Sequence, residues 1–340
     1  MPVTMRDVSV LAGVSISTVS HVLNETRPVP EPTRTRVLAA IAASGYMPNT
    51  LARSLKRAET RTLGLAIGDI ANPYFTEVVD AVEEAARARG YTVILTDNGE
   101  SAEREMPGLR VLVGRRVDGL ILAPSAEGGA EAVRYALHHK IPLVQIDRTA
   151  SESCDYVVAA NAEGARRLVR HLAALGHRRI GMLTGLPGLS STHERIAGYR
   201  AALDEAGLPF DPALTAEGQF SPEPARRATH ALLATANPPS ALFASNNLMT
   251  LGAMRAFSER GLTVPGDIAL AAFDDFAWAD LFQPRLTTVA QPCRRIGELA
   301  VSLLLERMAA PDLPPRRLRL PVELRHRESC GCAPGAEPIP

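Results

Sequence analysis

Residues 62–96 read TLGLAIGDIANPYFTEVVDAVEEAARARGYTVILT, and the texture of this stretch decides the architecture of most of the chain. An apolar run at 62–69 (TLGLAIGD) leads into FTEVVDAVEEAARAR (75–89), where apolar residues recur at helical spacing. A second apolar run, YTVILT (91–96), follows. Strands that are apolar throughout are buried on both faces, and helices between them mean a parallel sheet covered on both sides. The alternation continues, with strand-like runs at 117–123, 142–146, 179–184, 240–244 and 267–273 and helical stretches at 161–175 and 292–308. The fold class is therefore α/β. Two doubly wound parallel sheets fit about 270 residues better than one, and the cleft outside the strands' C-terminal ends is the default ligand site.

The composition sets outer limits. The 340 residues are 46% hydrophobic and 22% charged, which excludes a disordered or coiled-coil chain. No apolar run approaches the roughly 18 residues of a membrane span, and the start, MPVTMRDVSVLAG, holds no signal-like apolar block. A soluble, cytoplasmic protein without a membrane partner is expected. Four cysteines (Cys154, Cys293, Cys330, Cys332) are too few and too scattered for a disulfide framework. The zero net charge hides a split. Residues 1–61 carry eight Lys/Arg against four Asp/Glu, a net of +4, and the remaining 29 basic and 33 acidic residues give −4. A basic head on a mildly acidic body is the asymmetry of a chain whose head meets a polyanion.

That head reads as short helices joined by tight turns. Thr4 and Asp7 form a capping-box pattern, and Val8, Leu11 and Ala12 repeat at helical spacing until Ala12-Gly13-Val14 breaks the helix. Ser15 caps a second helix whose inner face is Val19, Val22 and Leu23. Pro28 and Pro30 forbid continuation. A third helix opens on Pro32 and runs through Val37, Leu38 and Ile41 to Gly45. Helix, Gly-containing turn and helix within 24 residues is a helix-turn-helix pattern, with Ile16, Ser17 and His21 outward. Ser17 can bond bases or phosphates, His21 carries both a donor and an acceptor, and Ile16 can pack on a thymine methyl. On pattern alone, a small structural helical bundle remains the alternative.

Residues 4–56, TMRDVSVLAGVSISTVSHVLNETRPVPEPTRTRVLAAIAASGYMPNTLARSLK, resemble the head of the lactose-repressor and purine-repressor family of bacterial transcription regulators. The resemblance implies that Ile16, Ser17 and His21 face base edges in the major groove, while Ser15, Thr18, Ser20 and Asn24 support the helix or grip phosphates. It further implies that residues 49–56 fold as a hinge helix when two copies meet over DNA. Leu55 would then wedge between base steps from the minor groove, Ala52 would allow close hinge approach, and Arg53, Lys56 and Arg57 would supply charge. The implied domains are a helix-turn-helix head (1–48), a hinge helix and linker (49–61), a two-lobed effector-binding and dimerisation body (62–330) and a flexible tail (331–340). The chain would cross between lobes near 160 and 288.

The body resembles the periplasmic-binding-protein-like effector domain of the same family, through DIANPYFTEVVDAVEEAARARGY, RRVDGLILAPS, GHRRIGMLTG, NNLMTLGAMRAF, FDDFAWADLFQPRLTTVAQP and VELRHRESCG in order. Position after a strand then nominates cleft residues. In the first lobe these are Asp69, Asn72, Tyr74, Phe75, Ser125 and Asp147; in the second, Ser190, Arg195, Phe220, Asn247 and Asp274. The competing reading of such Asp and Asn residues is a helix cap. Two departures from the family bear on the ligand. Ala160-Asn161 stands where Asp-Asn is common, and Leu189 where purine-binding members carry a base-binding Arg. Trp278 beside Asp274 is read as packing or as a sugar-stacking wall.

An enzyme is not expected, since no P-loop, G-x-S-x-G or strand-linked G-x-G-x-x-G is present. No cofactor and no metal are expected either; Cys330-x-Cys332 offers only two ligands in a tail. A sugar-binding protein or sensor of the same body fold, without gene regulation, is the rival, and it leaves the basic head without a use. The expectation is a sequence-specific DNA-binding repressor, a homodimer on a pseudo-palindromic operator. Its control would come from a small sugar or sugar acid, because carboxylates outnumber the single expected cation, Arg195. The tail has no heptads to make a tetramer.

Overall fold

The computed structural model describes residues 3–24, 26–46 and 59–332, and the chain divides at residue 60 into a small and a large compact unit. Among its described residues the small unit is three helices, α1 (Met5–Ala12), α2 (Ile16–Asn24) and α3 (Glu31–Ser44). The capping box opens α1: Thr4 N–H donates to Asp7 at 2.8 Å and Asp7 N–H to the Thr4 hydroxyl at 3.4 Å. Gly13, at φ +63°, takes the left-handed turn that lets α2 fold back. Val8, Ala12, Val19, Val22, Val37, Ala40 and Tyr46 form the core. Leu11 is not in it: Val8 and Ala12, one turn apart, face inward, and Leu11 is 62% exposed. Leu38 is exposed as well, and α3 begins at Glu31, so Pro32 is its second residue.

The large unit holds two lobes. The first contains β1 (Thr62–Ile67), α4 (Pro73–Arg87), β2 (Thr92–Asp97), α5 (Ala102–Gly114), β3 (Gly119–Leu122), α6 (Gly129–His138), β4 (Leu143–Ile146) and β5 (Asp155–Ala159). The second contains α7 (Asn161–Ala174), β6 (Ile180–Thr184), α8 (Ser190–Glu205), β7 (Thr215–Glu217), α9 (Pro222–Leu233), β8 (Ala241–Ala244), α10 (Asn247–Glu259), β9 (Ala269–Phe273) and β10 (Thr287–Ala290). The chain then returns to the first lobe with α11 (Cys293–Ala309) and β11 (Arg317–Leu320), and ends in the second with β12 (Glu323–Arg325). The sheet orders are β2-β1-β3-β4-β5-β11 and β7-β6-β8-β9-β10-β12, with β12 antiparallel to β10 and every other pairing parallel.

The lobes are thus joined three times, near residues 160, 291 and 321, where two crossings near 160 and 288 were expected. The third escapes sequence reading because β11 (RLRL) exposes alternate arginines and β12 is three residues long, both at sheet edges. The expected tail from 331 also begins too early. Gly331, at φ +89°, ends a short 3-10 helix (Glu328–Cys330), and Cys332 packs against the second-lobe core. Residues 333–340 lie outside the described residues. Among the described residues no helix is long and apolar enough to cross a membrane.

Helices α7 and α8 touch backbone to backbone: a Cβ on Gly198 would lie 2.1 Å from the Ala162 carbonyl oxygen. Gly198→Val should push the helices apart and cost about 1–3 kcal/mol. Urea denaturation measures this, and an unchanged midpoint would contradict the packing.

Candidate functional site

In the small unit α2 presents one polar edge. Ser15 accepts from Thr18 N–H at 3.1 Å and bonds the Ser17 and Thr18 hydroxyls at 2.7 and 2.8 Å, so it caps the helix as its position suggested. Ile16, 47% exposed, and Ser17 stand outward, while Thr18, Ser20, His21 and Asn24 are half-buried. Asn24 donates to the Ser20 carbonyl at 2.8 Å and so closes the helix end. His21 Nδ1 lies 2.8 Å from the Thr26 hydroxyl, which holds the ring and leaves Nε2 outside this bond. Thr26 is a positioning partner that no helix pattern reveals, because it lies beyond the helix. Arg53, Leu55 and Lys56, with the whole stretch 47–58, lie outside the described residues.

In the large unit the C-terminal strand ends of the two lobes face each other across a cleft. It is lined by Asp69, Asn72, Tyr74, Phe75, Glu100, Asp147, Arg148, Ser191, Arg195, Phe220, Asn246 and Asp274. Eight of the nominated residues are here; Ser125, Ser190 and Asn247 are not in the lining. Ser125 is buried behind it, where its N–H and hydroxyl donate to Glu105 at 2.7 and 2.6 Å. Ser190 accepts from Thr149 N–H at 2.8 Å, and Asn247 donates to Asn72 Oδ1 at 2.9 Å; both bonds join one lobe to the other. The cap reading also holds in part, since Asn72 caps α4 through Tyr74 N–H at 3.0 Å and Asn246 caps α10 through Met249 N–H at 2.8 Å.

Arg195 is buried and held from several sides. Its Nε donates to Asn161 at 2.9 Å, Nη1 donates to the Ser245 carbonyl, the guanidinium lies 3.8 Å over the Phe273 ring, and Nη2 is 3.9 Å from Asp274. Asp274 accepts from Gln291 at 2.6 Å. Burial raises its carboxyl above the usual carboxylate range, against the opposing pull of Arg195. On the other wall Arg148 pairs with Glu100 at 2.6 Å and donates to the Pro124 carbonyl at 2.7 Å. Burial likewise raises the Glu100 carboxyl, against Arg148. Arg148 corrects the expectation of a single cation. Four carboxylates (Asp69, Glu100, Asp147, Asp274) still outnumber two arginines. Arg148 follows the nominated Asp147 directly, and Glu100 lies three residues past β2, in the loop the strand-end rule did not cover.

Asp147, Phe220 and Asp274 sit at φ +64°, +51° and +70°, a left-handed backbone that side chains other than Gly rarely adopt and that tends to cluster at functional sites. Glycines make room in the walls: a Cβ on Gly68 would meet Glu100 and Arg148, and one on Gly185 would meet the Phe220 ring. The Tyr74 hydroxyl is buried with no hydrogen-bond partner, and burial beside Asp147 raises it well above the usual tyrosine range. Thr192 Oγ1, Ser245 Oγ, Asn247 Oδ1 and Gln291 Oε1, next to lining residues, are likewise unpartnered. Leu189 is buried ahead of α8, and Trp278 packs edge-on against Phe276, outside the lining.

Residues 4–49 match the lacI family of bacterial regulatory proteins, and residues 169–330 match the periplasmic binding protein-like domain. The chain is 37% identical over 329 residues to the HTH-type transcriptional repressor PurR of Vibrio atlanticus, covering 96% of this chain and 98% of that one. The structure resembles a lac repressor dimer bound to operator and the anti-inducer ONPF (TM-score 0.87, 31% identity, 97% and 99% of the two chains). It also resembles a transcriptional regulator CelR–cellobiose complex (TM-score 0.75, 31% identity, 96% and 99%). A DNA-reading head, a two-lobed body and full-length relatives agree: the chain belongs to the lacI family of bacterial regulatory proteins and is a DNA-binding transcriptional repressor, not an enzyme.

Proposed function

We propose that the interlobe cleft takes a small neutral sugar, with a sugar acid bearing one carboxylate as the second choice, and that its occupancy sets operator affinity. The observation that carries this reading is the cleft's excess of carboxylates around unpartnered polar atoms and the Phe220 ring. Carboxylates and amides bond hydroxyls, an aromatic face suits the C–H side of a sugar ring, and an excess of negative charge repels phosphate. Arg148 is tied to Glu100, which leaves Arg195 as the cation nearest a ligand carboxylate. CelR, in complex with cellobiose, is a fold neighbour that binds a sugar. The PurR relatives favour a nucleobase instead, but Leu189 offers no charge or hydrogen bond to a base.

Control follows from the two walls. A ligand touching Asp69, Phe75 and Asp147 on one lobe and Arg195, Phe220 and Asp274 on the other favours the lobe arrangement in which both walls reach it, and shifts the population accordingly. On DNA, α2 reads the major groove through Ile16, Ser17 and His21, with Ser15, Thr18, Ser20 and Asn24 as support. Arg53, Leu55 and Lys56 act in the hinge. The protein works in the cytoplasm as a homodimer, since one head contacts too few phosphates and bases for gene-level specificity. Exposed Leu95 and Val111 on the β2–α5 edge, and Leu281 on the second lobe, are apolar surface suited to the second copy.

His21→Ala should relax base preference at one operator position, at a cost of about 1–3 kcal/mol. Site selection from random DNA reads this out, and an unaltered logo would remove His21 from the reading set. Arg195→Ala and Asp274→Ala should each abolish the effector response while operator binding persists. A thermal-shift screen of sugars, sugar acids and purines identifies the ligand class; stabilisation by a purine or phosphorylated compound alone would overturn the sugar reading. Light scattering should give a dimer at micromolar concentration, and a stable tetramer or monomer would contradict it.

A further inference from the structure

Three soft donors meet in the second lobe, apart from the residues that line the cleft. His171, on α7 and 3% exposed, has its Nε2 3.3 Å from Cys330 Sγ and 3.2 Å from Cys332 Sγ. The two sulfurs are 3.1 Å apart, and all three atoms lie within 4.8 Å of one another. The sulfurs are farther apart than the roughly 2.05 Å of a disulfide. Packing as small hydrophobes would not aim an imidazole nitrogen at both. Beside them the His326 ring meets the His171 ring edge-on at 4.5 Å, and its Nδ1 is buried without a partner.

We propose that His171, Cys330 and Cys332 form a binding site for a thiophilic divalent cation, zinc by preference, which fastens the chain's C-terminal segment to α7. Sulfur with imidazole is the donor set such a cation selects, and His326 stands next to the fourth position, which water can otherwise fill. Zn–S bonds of about 2.3 Å and Zn–N bonds of about 2.0–2.1 Å place tetrahedral donors roughly 3.5–3.8 Å apart, so the trio needs to open by about half an ångström. Cys332, half-exposed at the end of the described chain, supplies that movement.

Binding displaces two thiol protons: M²⁺ plus two Cys–SH gives M(S–Cys)₂ and two H⁺, breaking two S–H bonds and making two M–S bonds and one M–N bond. Two thiolates cancel the cation's charge, which is what burial requires.

The test is a Co²⁺ titration of the reduced full-length protein. One equivalent should give a sulfur-to-cobalt charge-transfer band with intense tetrahedral visible bands, bleached by Zn²⁺, and the melting midpoint should rise. Cys332→Ser and Cys332→Ala should abolish the band and the midpoint rise, with affinity falling at least about 100-fold. Cys154→Ser, remote from the cluster, should retain both. Absence of the band in the reduced wild type, its persistence in the Cys332 variants, or its loss only in Cys154→Ser would overturn the proposal.

Discussion

Neither lobe of the body can be completed from a continuous stretch of chain. The edge strand of the first sheet, β11, pairs with β5, whose register partners lie 161 residues earlier, and the second sheet ends in β12, the last strand of the described chain. Burying either core therefore requires the other lobe to be threaded, and three short connectors are left between them. Those connectors fix which strand ends face each other, and the Thr149–Ser190 and Asn72–Asn247 bonds tie the facing ends together. The cleft, its ligand chemistry and any signal passed to the head all rest on this topology.

Within that frame the cleft concentrates unfavourable features. Carboxylates are buried, three non-glycine residues hold a left-handed backbone, and several polar atoms have no partner. Each costs stability that the alanine-, leucine- and valine-rich cores on both faces of each sheet must offset. The surrounding bonds hold these groups without satisfying them: Arg195 is clamped by Asn161, Ser245 and Phe273, yet reaches Asp274 only at 3.9 Å. On the proposed sugar reading, such a site recovers hydrogen bonds when a hydroxyl-rich molecule enters.

The α/β class, the helix-turn-helix and most of the cleft wall were legible because their signals are local. A continuous apolar run marks a buried strand, and the residue after it marks the cleft. What stayed hidden needed distance or sheet pairing. β5 (DYVVA) opens on polar and aromatic residues and is recognised as fully buried only between β4 and β11. Arg148 carried no signal of its own in the sequence; its role in the wall comes from Glu100, 48 residues earlier, which it meets in the fold. His171 sits in a helix whose pattern explains it as an inward residue, and nothing in sequence links it to cysteines 159 and 161 positions later. Leu11 and Leu38 show the opposite failure, in which correct helical spacing does not decide which of two neighbouring apolar residues faces the core.

In the proposed reading of the operator by His21, its bond to Thr26 sets how the head addresses a base. A hydroxyl can give its proton to Nδ1 or take the proton that Nδ1 holds, so the Thr26 rotor selects the imidazole tautomer. In one setting Nε2 is a donor and suits the N7 or O6 of a purine; in the other it is an acceptor and suits the amino group of adenine or cytosine. If His21 reads a base as proposed, the head carries a two-valued letter at this position, governed by a residue that lies outside the reading helix. On that reading, related operators that differ at that base pair can share one repressor.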